Sequence, residues 1–183
     1  QSGTASPASL YAGGGNTPSS PYYTADTETW NGTNWTEVNN LNQSRGLLGQ
    51  TGQAPTTASL VFGGDEPSPP RTTNTESWNG TNWTEVNNLN TARSYLAGSG
   101  TSTAAIACGG NTPPGTGKTE VWNGTNWTEE GDLSVARWAL GACGTSAASF
   151  AVGGETPTRS ASVEEWTGAG APVGVWSTGG PLN

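Results

Sequence analysis

Apolar residues fall in short runs separated by glycines and polar turns, and no run keeps a helical period. Residues 58–62 (A-S-L-V-F) form one such run, ended by Gly63-Gly64, which predicts a short strand. Over residues 73–78, Thr, Glu and Trp alternate against smaller neighbours. Asn79-Gly80 then signals a hairpin turn, and residues 83–86 run back from it. Residues 87–90 read as a polar connection. Residues 93–98 predict a further strand, with G-S-G-T as its turn into 104–108. No segment carries helix caps, and a helical repeat would not tolerate 28 glycines in 183 residues. The pattern predicts an all-β chain with four short antiparallel strands per unit.

The unit recurs. Residues 27–42 read T-E-T-W-N-G-T-N-W-T-E-V-N-N-L-N, residues 75–90 differ from them by one residue, and 119–134 read T-E-V-W-N-G-T-N-W-T-E-E-G-D-L-S. A degraded copy occupies 163–168 and 175–178. The lead tryptophans Trp30, Trp78, Trp122 and Trp166 are 48, 44 and 44 residues apart. Glycine doublets precede them at 13–14, 63–64, 109–110 and 153–154, and Arg45, Arg93 and Arg137 follow the first three copies. The chain divides into units of approximately 1–44, 45–92, 93–136 and 137–183, read as one repeat domain.

Four-stranded units at a period of 44–50 residues indicate a β-propeller. These residues resemble the kelch repeat. Its pattern closes the second strand with Gly-Gly, places an aromatic in the third strand and Trp in the fourth, and opens the next first strand with Arg. Trp30, Trp78, Trp122 and Trp166 take the aromatic position, and Trp35, Trp83, Trp127 and Trp176 the Trp position. The resemblance implies a kelch-like propeller of four-stranded antiparallel blades. The W-N-G-T-N-W-T-E-V-N-N-L-N wording also resembles repeats of virion or tail-fibre-like proteins of marine bacteriophages, especially cyanophages. That implies a non-enzymatic structural or adhesion protein on a virion surface or outside the cell. Its expected partners are other virion proteins, further copies of itself or a host-surface glycan. The alternative is a secreted lectin-like or galactose-oxidase-like kelch protein. The enzyme version fits poorly, because radical copper chemistry in that family needs His ligands and this chain has no His.

Composition narrows the chemistry. Apolar residues make up 31% and charged residues 11%, and the net charge is −8. An acidic chain with six basic residues is poorly suited to neutralising phosphates, so no nucleic-acid partner is expected. Without His, a Ser-His-Asp triad and His-ligated zinc or copper are excluded. No cofactor or metal is expected. No stretch approaches the roughly 18 apolar residues of a membrane helix, so no insertion is expected. The high polarity suggests disorder, but nine tryptophans at regular spacing argue against it.

Each repeated residue has two readings. The tryptophan pairs are sugar-stacking platforms or packing between blades, and packing is preferred because Leu, Ile and Phe are scarce. Trp138, outside the two series, is expected to be more exposed. Glu28, Glu76, Glu120 and Glu164 stand two residues before each lead Trp. With the arginines they read as structural ion pairs rather than a catalytic carboxylate ring. Asn31, Asn34, Asn79, Asn82, Asn123 and Asn126 form glycosylation sequons and are read as turn residues. Cys108 and Cys143 lack metal-site spacing, and a disulfide between them is the lesser alternative.

The loops after each second strand vary in length and chemistry over 15–27, 65–75, 111–119 and 155–163. Loops on a rigid repeat are where recognition concentrates. Tyr22, Tyr23, Asp65, Glu66, Arg71, Lys118, Glu155, Arg159 and Trp138 are the ligand-binding candidates. Second-to-fourth strand sets occur four times and Arg-led first strands three times, so one innermost strand is expected to be missing from the first unit. A longer array, or another chain supplying that strand, is the expectation.

Overall fold

The computed structural model describes residues 8–15, 22–52, 56–67, 70–168 and 174–182, and none of these is helical. The chain is all-β, in four antiparallel sheets that follow one another in sequence. The first has three strands, β1 (Ser9–Gly15), β2 (Tyr23–Trp30) and β3 (Trp35–Val38). The second has four, β4 (Gly49–Gln50), β5 (Ser59–Phe62), β6 (Thr75–Trp78) and β7 (Trp83–Val86). The third comprises β8 (Ala97–Thr101), β9 (Ala104–Cys108), β10 (Thr119–Trp122) and β11 (Trp127–Glu129). The fourth comprises β12 (Gly141–Gly144), β13 (Ala148–Val152), β14 (Val163–Thr167) and β15 (Val175–Thr178). Each sheet is a meander, and the strands β4, β8 and β12 that open successive sheets lie beside one another.

One local expectation is met and one corrected. The hairpin turn falls on residues 79–82 as read, with Trp78 paired to Trp83 across a four-residue loop. Asn79 Oδ1 accepts the Thr81 and Asn82 amides at 2.9 and 2.8 Å, and Gly80 takes a φ of 94°. The first strand starts later than its arginine. β8 begins at Ala97 and includes Gly98-Ser99-Gly100-Thr101, so the turn is Ser102-Thr103. The delay comes from a left-handed residue two positions after each arginine: Leu47, Tyr95 and Ala139, with φ of 56°, 54° and 53°. Non-glycine residues rarely adopt that region. Hydrogen bonds hold them there, from Tyr95 N to Leu47 O at 2.8 Å and from Ala139 N to Tyr95 O at 2.9 Å.

The core lies between the sheets. Val61, Trp78 and Trp83 pack on Ala12 and Leu41 at the first junction. Leu60 and Phe62 meet Ala105, Ala107, Trp122 and Trp127 at the second, where Phe62 sits edge-on to Trp127 at 4.8 Å. Cys108, Leu133, Leu140 and Ala151 fill the third. The two tryptophans of every hairpin contact each other at 5.2–5.6 Å. Trp78, Trp83, Trp122, Trp127 and Trp166 are buried, and Trp30 and Trp176 are half-buried. Trp35 departs from the packing expectation at 48% exposure, because its side of the first sheet carries no preceding sheet.

Buried ion pairs tie each lead-in to the sheet it opens. Arg45 meets Glu76 at 2.8 Å, Arg137 meets Glu164 at 3.1 Å, and Arg93 meets Glu120. Burial pulls the Arg45 guanidinium below its ordinary value, and Glu76 opposes that shift. The second carboxylate oxygen takes the backbone N–H of Asn42, Asn90 or Ser134 at 2.7–2.8 Å. These partners offset part of the cost of burying the charges, although the Nε of Arg45, Arg93 and Arg137 is buried without a hydrogen bond. No helix among the described residues is long and apolar enough to cross a membrane.

Candidate functional site

Backbone bridges join Gly46 to Asp65, Ser94 to Asn111 and Trp138 to Glu155. Each lead-in to a sheet is thereby tied to the loop after that sheet's second strand, which gathers loops and lead-ins on one face. Seven residues before each lead Trp stand Tyr23, Arg71, Gly115 and Arg159. The first three reach the next sheet, each with different chemistry. The Tyr23 ring lies over Gly46, where a Cβ would sit 2.6 Å from it, and its hydroxyl is 3.5 Å from Asp65 Oδ2. Burial, then the Asp65 charge, raises the Tyr23 phenol above its ordinary value. Arg71 donates to the Asn111 carbonyl at 3.1 Å and to its side-chain oxygen at 3.3 Å. At the third junction the arrangement of the first is inverted. The aromatic is now on the lead-in, Trp138, and the glycine is on the loop, Gly115, whose Cβ would fall 2.4 Å from the indole.

The inversion opens a cleft of about 350 Å³ lined by Pro114, Gly115, Ala136, Trp138, Thr156 and Pro157. Its walls are two tight loops. Thr112 N donates to Pro114 O at 3.2 Å, and Thr156 N to Thr158 O at 2.8 Å. The Trp138–Glu155 bridge ties the indole's backbone to the second loop, with paired N–H···O bonds of 3.1 and 2.9 Å. A half-buried indole between two prolines offers flat apolar surface, suited to the apolar face of a sugar ring or to another ring stacked on it. Glu155 and Arg159, themselves bridged through their backbones, place a carboxylate and a guanidinium in the same loop.

The structure thus gathers Trp138, Glu155 and Arg159 at one junction, Tyr23 and Asp65 at another, and Arg71 at the one between. Lys118 pairs with Glu129 at 2.6 Å within its own sheet, and Glu66 accepts from Asn74 at 3.1 Å. Tyr22 is exposed at 64%. The wall residues Pro114, Gly115 and Pro157 were not singled out in the sequence. Their signal is Pro113-Pro114-Gly115 and Thr156-Pro157 inside the variable loops. Loop residues 16–21 and 68–69 lie outside the described part.

The opposite face is closed by asparagines. Asn39 Nδ2 donates to Asn82 Oδ1, and Asn87 Nδ2 to Asn126 Oδ1, each at 2.8 Å and each reaching the next sheet. The Asn31, Asn79 and Asn123 side chains accept amides of their own turns. Both cysteines are free thiols, Cys108 buried and Cys143 exposed. Among the described residues no three His, Cys, Asp or Glu side chains converge on a metal-sized site.

No family model and no curated protein matches this chain. Solved structures do match, among them the structure of YjhT, with a TM-score of 0.71 and 12% identity over 87% of this chain and 54% of that one. The chain therefore spans about half the length of YjhT. The likeness is one of fold.

Proposed function

We propose that this chain is a non-enzymatic recognition module, a kelch-like propeller arc that presents its loop face to a surface ligand. The observation that carries the reading is the Trp138 cleft, built by loops that differ between repeats over a core that does not. Four meander sheets in chain order, opened by neighbouring strands, support the propeller. The repeat wording supports a place on a phage virion, with a host glycan as the ligand. Stacking on Trp138, flanked by Glu155 and Arg159, suits a saccharide, whose ring has an apolar face and a polar rim. Binding without turnover is the activity assigned.

A glycan array probed with the intact chain and with Trp138→Ala tests the ligand reading. Discrete binding lost in the variant supports it; no binding, or binding indifferent to Trp138, refutes it. Detection of the chain in purified virions tests the location separately.

A further inference from the structure

Every sheet after the first is completed by a segment of one form. Asn42, Asn90 or Ser134 is followed three residues later by Arg45, Arg93 or Arg137, and three after that by Leu48, Leu96 or Leu140. The arginine enters the buried carboxylate of the sheet it opens. The first residue donates its backbone N–H to the same carboxylate. The left-handed residue passes a hydrogen bond to its counterpart in the neighbouring segment. The strand that follows pairs with β5, β9 or β13.

The first sheet has the receiving half of this arrangement without the segment. Glu28 occupies the position of Glu76, Glu120 and Glu164 and is half-buried, and its carboxylate has no ion pair or side-chain hydrogen bond among the described residues. All five arginines of the chain are described, and none reaches it. The N–H of Leu47 has no backbone partner among the described residues, whereas those of Tyr95 and Ala139 do. β1 is a sheet edge. Two cavities, of about 190 and 210 Å³, lie along it, one beside Leu10, Gln50 and Thr51 and the other beside Tyr11, Leu47 and Leu48.

We infer that this groove is a docking site for a polypeptide segment of the form Asn-x-x-Arg-x-x-Leu followed by a short strand. Strand addition to β1 supplies the backbone hydrogen bonds, as in other edge-strand recognition. The guanidinium fills the place before Glu28 that the three internal arginines fill before theirs. The Leu47 N–H supplies the next bond of the series begun by Leu47, Tyr95 and Ala139. The occupant carries one cation and is otherwise uncharged, as the internal segments are. None of the Trp138 cleft residues takes part.

The probe is a synthetic peptide with the sequence of residues 88–101, titrated calorimetrically into the intact chain. One peptide should bind per chain and raise its unfolding temperature. Replacing the arginine of the peptide with alanine, or Glu28→Gln in the protein, should each weaken binding roughly tenfold or more, the usual effect of losing a charge-assisted hydrogen bond. The peptide substitution needs no refolded variant, so the two arms check each other. No binding at millimolar peptide overturns the site. Binding that ignores both substitutions also overturns it, because the peptide would then be held elsewhere.

Discussion

Trp127 donates its indole N–H to the hydroxyl of Thr75 in the sheet before it, across 3.1 Å with both groups buried. Trp83 does the same to Thr27 at 3.0 Å, and Trp176 to Thr119 at 2.9 Å. Apolar packing between sheets is non-directional, so this buried bond helps to fix how each sheet is set against its predecessor. The equivalent residue in the fourth sheet is Val163, which offers no acceptor.

Thr75→Val keeps the shape and removes the acceptor. A buried donor left alone costs about 1–3 kcal/mol. Urea denaturation should show a loss of that size, with an unchanged slope. Thr36→Val, on exposed β3, should stay within about 0.5 kcal/mol of the parent. Equal effects from the two substitutions would remove the bond from any account of stability.

The Arg93–Glu120 pair predicts a strongly non-additive cycle. Neither side chain is exposed, and Asn90 adds two more donors to the same carboxylate. Arg93→Leu or Glu120→Leu alone strands a buried charge, at about 3–5 kcal/mol. The double variant should cost clearly less than the sum of the two. Additive losses in a denaturant-based cycle would show that the two residues do not act as a pair.

The strands of each unit were legible where glycine punctuates them. Gly63-Gly64 ends β5, the Asn79–Asn82 loop separates β6 from β7, and β9 matches its apolar run. The start of β8 was not legible, because the bend that delays it falls on Tyr95, a residue that does not advertise positive φ. The equivalent bends fall on Leu47 and Ala139, no more conspicuous. The ion pairs were foreseeable from one Glu and one Arg per repeat. The Trp138 cleft was not, because it depends on Gly115 of one repeat facing a residue 23 positions on in the next. A periodicity argument treats repeats as alike and overlooks a swap of glycine and aromatic between neighbours.

The two thiols should behave differently. Burial raises Cys108 from 9.0 to about 12, while Cys143 is exposed. At pH 8 the native chain should consume one equivalent of an aromatic disulfide reagent, and the denatured chain two. The fold holds Cys108 protonated, and the unfolded chain releases the proton at the ordinary thiol value. Stability is therefore intact below about pH 9.0 and falls as pH rises from there toward 12. Cys108→Val, which installs the residue found at the equivalent Val152, should flatten the decline in unfolding free energy above pH 9. An alkaline limb unchanged in the variant would assign the decline to other groups.

The Trp138 cleft depends on an absent side chain, which gives the most specific prediction. A methyl group at position 115 would sit 2.4 Å from Cε3 and 2.8 Å from Cζ3 of the Trp138 ring. Real contacts do not come so close, so the half-exposed indole must swing out of the cleft. Gly115 lacks the positive φ seen at Gly109 and Gly110, so alanine meets no backbone strain there. Gly115→Ala should therefore abolish saccharide binding as completely as Trp138→Ala, with a stability loss below about 1.5 kcal/mol. At the first junction the same contact is made by Gly46, buried under Tyr23 and 3.2 Å from the Gly14 backbone at its would-be Cβ. There the ring has backbone behind it, so Gly46→Ala should cost more, about 1–3 kcal/mol, and leave the remote cleft working. Parallel denaturation and glycan titrations of the two variants would separate the effects. If Gly46→Ala removed binding and Gly115→Ala did not, the ligand would belong to the Tyr23 junction instead.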